Sequence, residues 1–110
     1  MISSNVSSIM SNQTYMNNNA GNVANVNTDS YIPRNTTISE TQNGSTQANT
    51  SLATDNGSKQ SQTDLSKELT DQISIENTTK ANVQSIRIQN EMLGSLLDIK
   101  GWHLISWEPF

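Results

Sequence analysis

Apolar positions along the chain fall into two periodic stretches separated by a polar one. Between Ser3 and Val26 they occur at Val6, Ile9, Met10, Met16, Ala20 and Val23. Those steps of three, one, six, four and three residues lie on one stripe of an α-helix. Gln13 interrupts the stripe, and Asn17, Asn18 and Asn19 have poor helix propensity. The spacing predicts a first helix over residues 3–27 that needs a partner.

The second stretch covers residues 63–100. Leu65, Leu69, Ile73, Val83, Ile86, Leu93 and Leu97 recur at nearly heptad spacing, and Met92 and Leu96 widen the stripe. Ser61-x-x-Asp64 has the form of a capping box, and Asp64, Glu68 and Asp71 place acid near the positive end of a helix dipole. A solvated first turn follows, with Lys67 pairing to Asp71 or Asp64 and Glu76 pairing to Lys80. Asn77, Thr78 and Thr79 weaken the stripe. Gly101 predicts the helix stop. It leaves residues 101–110 as an aromatic tail, in which Trp102, Trp107 and Phe110 form a candidate anchor on a neighbouring chain or on this chain's own helices.

Residues 28–62 lose all periodicity. Ile32-Pro33, Asn43-Gly44 and Asn56-Gly57 are turn signals, and Thr41-Gln42-Asn43-Gly44-Ser45 is echoed by Thr54-Asp55-Asn56-Gly57-Ser58. The segment reads as a polar low-complexity linker, with a short hairpin or tandem of turns as the alternative. The expected fold class is all-α: N- and C-terminal helices pairing as an antiparallel helical hairpin or coiled coil, joined by that linker.

Composition sharpens the need for partners. Of 110 residues, 51 are Asn, Ser, Thr or Gln, and only 40 are apolar even with glycine included. Compact domains of this size carry about 45–50%. A two-helix hairpin would leave Met92, Leu96 and Leu97 uncovered, and lateral assembly would supply the missing burial.

The same inventory excludes most chemistry. No run of about 18 apolar residues is present to span a bilayer, and no basic segment followed by an apolar one marks a Sec-type leader. Cysteine is absent, and six basic residues in a chain of net charge −4 leave no footprint for nucleic acid. His103 stands alone, the five glycines match no phosphate-binding loop, and no serine has a paired base. Catalytic, cofactor and metal sites are not expected.

Ala20-Gly21-Asn22-Val23-Ala24-Asn25-Val26-Asn27-Thr28, followed by Asp29-Ser30-Tyr31, resembles the N-terminal signature of bacterial flagellar axial proteins. That family of rod, hook and hook-associated proteins typically reads A/S-N-N-I-A-N-V-N-T-x-G-Y there. Asp64 to Ile73, then Asn82, then Asn90-Glu91-Met92-Leu93-Gly94-Ser95-Leu96-Leu97-Asp98-Ile99-Lys100, look like the family's C-terminal helix.

The resemblance implies a structural subunit of the flagellar basal body, rod or rod-adjacent. In the family the terminal helices pair within a subunit and pack beside neighbours to build a tube around an export channel. Partners would be other rod and hook subunits, copies of this chain, and the flagellar type III export apparatus. Export would proceed without a cleaved signal peptide, to an axial, periplasmic position.

Carried over by position, Asn22, Ala24, Asn25, Val26, Asn27 and Thr28 would close the first helix and make subunit contacts. Asn82, Met92, Leu93, Leu96, Leu97 and Ile99 would hold the second in the assembly. Ser30 departs from the family's Gly. Ser74 to Lys80 replaces a stretch usually similar to I-x-A-Q-R-A-Y, and the middle is too short for the family's β-rich domain. A second reading of the same ends is an assembly or regulatory factor that binds axial subunits or export machinery without being polymerised.

Overall fold

A computed structural model describes residues 2–106, with side chains described through Asp98. The order is α1 (Ile2–Ala24), β1 (Arg34–Glu40), β2 (Thr46–Leu52) and α2 (Leu65–Ser106). The molecule is elongated, 83 × 26 × 14 Å. Most of that length is α2, whose 42 residues extend about 63 Å at ~1.5 Å per residue.

The helices run antiparallel. Asn5 meets Ser85, Ser8 meets Asn82, Asn12 meets Thr79, and Asn19 meets Glu68. α1 closes at the signature asparagines: the Asn25 amide nitrogen and its side-chain Nδ2 both donate to the Gly21 carbonyl, at 3.2 and 2.8 Å. The Val26 N–H donates to the Val23 carbonyl at 3.2 Å. Carbonyls that a helix end would otherwise leave to solvent are thus engaged by turn and side-chain bonds.

α2 is capped by Asp64, whose Oδ1 accepts from the Lys67 N–H at 3.2 Å. Ser61 Oγ accepts from Thr63 N instead, so Ser61 is not the cap. The polar stretch through Thr78 does not break the helix. Thr78 Oγ1 donates to the Ser74 carbonyl, and Asn82 Nδ2 to the Thr78 carbonyl. The helix also continues through Gly101 to Ser106, contrary to the expected stop. A helical glycine costs only about 1 kcal/mol relative to alanine, which flanking turns of helix can offset.

The all-α expectation is overturned between the helices. Residues 34–52 form a two-stranded antiparallel sheet, with Arg34 opposite Leu52, Thr36 opposite Thr50 and Glu40 opposite Thr46. The first Asn-Gly dipeptide makes the turn. Gly44 sits at φ +82°, a left-handed conformation that favours glycine. The Thr41 N–H donates to the Ser45 carbonyl at 2.7 Å, and the Gly44 N–H to the Thr41 carbonyl at 3.2 Å. Thr36, Thr37 and Ile38 supply the β-branched residues that suit a strand.

A lone hairpin is marginal in water, and α1 supports this one. Asn18 Nδ2 donates to the hydroxyls of the cross-strand pair Thr36 and Thr50, at 2.8 and 2.9 Å. Ser7 Oγ donates to the Thr46 carbonyl at 2.9 Å, and Ser11 Oγ lies 3.1 Å from Thr46 Oγ1. The outward strand face, with Asn35, Thr37, Ser39, Gln47, Asn49 and Ser51, is polar throughout.

Candidate assembly surface

Between the paired helices the interior is polar. Ser11, Asn12, Asn19, Asn22 and Glu68 are buried, and Ile75 is the buried aliphatic where the helices meet. The Glu68 carboxylate is held from both sides. Asn19 Nδ2 donates to Oε2 at 2.7 Å and Asn22 Nδ2 to Oε1 at 2.9 Å. Each amide also serves backbone: Asn19 Nδ2 reaches the Glu68 carbonyl, and Asn22 Nδ2 the Arg34 carbonyl.

Asn22 Oδ1 completes the node by accepting from the Tyr31 hydroxyl at 3.0 Å and from the Arg34 N–H at 2.8 Å. Thr63 Oγ1 donates to the Asn22 carbonyl. One signature asparagine therefore joins α1, the turn after it, the start of β1 and the entry to α2. Asn19 Oδ1 is buried without a hydrogen-bond partner.

Glu68, expected on a solvated first turn, is 3% exposed. The sequence signal that points there is its position seven residues before Ile75, on the strip that also carries Thr79, Asn82 and Ile86. The other surface pairs form as expected. Lys67 Nζ lies 2.8 Å from Asp71, and Lys80 Nζ 2.9 Å from Glu76. The hydrogen bond to Asp71 holds the Lys67 ammonium above its usual pKa. Burial, with the nearby Asp71 charge second, pushes the Tyr15 phenol up.

The apolar stripes face the other way. Leu65, Leu69, Ile73 and Val83 on α2 are exposed, as are Val6 and Met10 on α1. Ile9, Val26 and Ile86 are half-buried, while Ala24, Asn27 and Thr28 lie at the surface. The contrast is sharpest between near neighbours: Ile73 is 63% exposed and Ile75 4%. Turning Ile75 toward α1 carries Ile73 away by about 200° at ~3.6 residues per turn. Ile9, Met16 and Ile75 line a groove of about 510 Å³ between the helices.

Past the start of α1, no described residue of the chain covers the second helix. α1 begins only three residues before the Asn5–Ser85 contact. Met92, Leu93, Leu96 and Leu97 all lie beyond that point and are exposed. Ile99 and Trp102 belong to α2 with side chains outside the described ones. The rest of the expected tail anchor, Trp107 and Phe110, lies outside the described residues.

Among the described residues no three His, Cys, Asp or Glu side chains converge on a metal-sized site. No described helix is long and apolar enough to cross a membrane. Comparison with protein-family models finds no match to this chain, and comparison with curated proteins finds none either.

Proposed function

We propose that this chain is a structural subunit of the bacterial flagellar basal body, in the rod or beside it, assembled through its two terminal helices. The observation that carries the reading is the inverted burial. The helices set their asparagines, serines and threonines against each other and turn Val6, Met10, Leu65, Leu69, Ile73 and Val83 outward. Burying those side chains against neighbours would add roughly 1.5–3 kcal/mol each if complete. Water-facing apolar stripes of this length mark surfaces meant for other chains.

Two further features support it. The N-terminal signature supplies Asn22 and Asn25, which hold the helix end and the following turn. Ser30, where the resembled family favours Gly, has φ +61°, so the backbone there takes the conformation in which glycine is at ease. The hairpin occupies the chain position of the family's β-rich domain and is too small and too polar to be one.

Neighbouring subunits would be other rod and hook proteins and further copies of this chain, delivered by the flagellar type III export apparatus. Quantitative mass spectrometry on purified hook–basal bodies tests the reading. Several copies per particle are expected. Absence from particles that hold all other rod proteins would replace it with the assembly-factor reading.

A further inference from the structure

The two Asn-Gly dipeptides are both exposed, both carry glycine at positive φ, and they differ in what surrounds them. At Asn43-Gly44 the glycine N–H is engaged by a backbone carbonyl, that of Thr41. The Asn43 carboxamide oxygen accepts from the hydroxyls of Thr41 and Ser45. At Asn56-Gly57 the glycine N–H donates to a carboxylate, Asp55 Oδ1, at 2.8 Å. The Asn56 carboxamide oxygen accepts from the Ser58 N–H at 2.9 Å, which folds the side chain over its C-terminal neighbour.

We propose that Asn56 is a self-modification site, converting by its own local geometry to aspartate and isoaspartate. The Gly57 nitrogen attacks Asn56 Cγ as its proton passes to the Asp55 carboxylate. Negative charge develops on Oδ1, the atom that already accepts the Ser58 N–H. The Cγ–Nδ2 bond then breaks, and the amide leaves as ammonia with the transferred proton. The product is a five-membered succinimide, which one water opens at either carbonyl. No oxidant or cofactor enters, and the net change is asparagine plus water to aspartate or isoaspartate plus ammonia.

Three groups are thus set for three tasks: Asp55 takes the proton, Gly57 presents a nitrogen with no Cβ beside it, and Ser58 N–H stabilises the oxyanion. Space is not an obstacle, since nothing lies within 4 Å of where a Gly57 Cβ would stand. Gln62 fixes the base by donating Nε2 to Asp55 Oδ1 at 2.8 Å, while its Oε1 accepts the Asn56 N–H at 3.1 Å. The reaction would add a negative charge to the loop leading into α2, and its isoaspartate product would lengthen the backbone there. Asn43 has the same dipeptide without the carboxylate and serves as an internal control.

The test is peptide mapping of the full chain during incubation at neutral pH, with ammonia release and isoaspartate scored at both sites. Native protein is expected to convert Asn56 about tenfold faster than Asn43, below the ~10²–10⁴ of a matched general base because a carboxylate is a weak base. In denaturant the two rates should converge. Asp55→Ala should bring Asn56 down to its denatured rate and leave Asn43 unchanged. An Asn56 rate equal to or below that of Asn43 in native protein, or one that Asp55→Ala does not lower, overturns the proposal.

Discussion

The Glu68 carboxylate and the Asn22 carboxamide, 46 residues apart in the chain, meet inside the molecule at 2.9 Å. Among the described residues no cation pairs with Glu68. Its charge is met by amide N–H donors alone, and charge-assisted bonds of this kind are about twice as strong as neutral ones. The node replaces the apolar core that a helical hairpin normally has. It also gives Asn19 and the signature's Asn22 a structural task that apolar residues could not perform, because each links side chain to backbone across elements.

Removing the carboxylate should therefore cost more than its single position suggests. Glu68→Ala is expected to lower stability by about 2–4 kcal/mol, since two buried donors lose a charged acceptor. Glu68→Gln should cost about 1–3 kcal/mol, because its own NH₂ must face one of the two asparagine NH₂ groups. Urea unfolding followed by the helical circular dichroism signal measures both. An unchanged midpoint in both variants would mean that the node contributes nothing.

Ile73 and Ile75 separate folding from assembly. Ile75→Asp puts a charge into the helix–helix groove and should cost about 3 kcal/mol or more. Ile73→Asp alters an exposed side chain and should leave the isolated chain within about 0.5 kcal/mol. If the chain is the basal-body subunit proposed above, the second variant is the sharper probe in cells: it should fail to enter basal bodies although it folds. Incorporation at the normal copy number would remove Ile73 from the subunit interface.

Both helices are legible from spacing, because a 3.6-residue period leaves a direct mark on a sequence, although the cap of α2 is Asp64 rather than the Ser61 that the capping-box spacing suggests. Which face turns inward is not. Periodicity locates Leu65, Leu69 and Ile73 on one stripe, and the ordinary inference sends that stripe to the core. In this chain Asn12, Asn19 and Asn22 occupy the contact, and their burial is offset because each finds a partner across it. The hairpin is visible only as an alternative. Its strands carry only Ile38, Ala48 and Leu52 as apolar residues on the inward face, too few to stand out as an alternating pattern, and Asn43-Gly44 alone signals the turn. The spacing of Glu68 to Ile75 marks it for the buried strip, but an acid in a first turn has a sufficient local explanation, the helix dipole, that hides the long-range one.

The uncovered end of α2 should behave differently from the rest. A helix without tertiary packing frays in water, and local opening follows local contact. In the isolated chain, amide hydrogens from Glu68 to Ile86 should exchange slowly and those from Met92 to Leu97 rapidly. Under the proposed assembly, incorporation into basal bodies should slow the second group. Uniform protection along α2 of the monomer would mean that α1 is not what holds the Glu68–Ile86 stretch closed.

Alkaline pH should weaken the cluster in which Tyr15 of α1 faces Asp71 and Lys67 of α2. The Tyr15 phenol is raised by burial first and by Asp71 second, and the Lys67 ammonium is raised chiefly by its hydrogen bond to Asp71. For both groups the folded protein holds the proton more tightly than the unfolded chain. Their contribution is complete below the unfolded values, about 10 for Tyr and 10.4 for Lys, and is lost as pH rises through the folded ones. Tyrosinate absorbance, with Tyr15→Phe to assign the transition, should show Tyr15 ionising above its ordinary range. Ionisation at or below that range would mean that the phenol takes no part in the pH response of the cluster.

Ser30 offers the last prediction, and it turns on backbone alone. Its φ of +61° is the sole positive value at a non-glycine among the described residues. A side chain there costs roughly 1–2 kcal/mol in a left-handed conformation. Ser30→Gly removes that strain but gives the unfolded chain more freedom, by about 0.4–1 kcal/mol. The balance should be a gain of about 0.5 kcal/mol, with the bond from the Ser30 N–H to the Lys59 carbonyl retained because it is made by backbone. Ser30→Pro fails on both counts, since proline locks φ near −65° and has no N–H, and should cost about 3 kcal/mol. Urea midpoints of the two variants read the sign directly. If glycine destabilised the chain by as much as proline, the Ser30 hydroxyl rather than the backbone would be holding this turn.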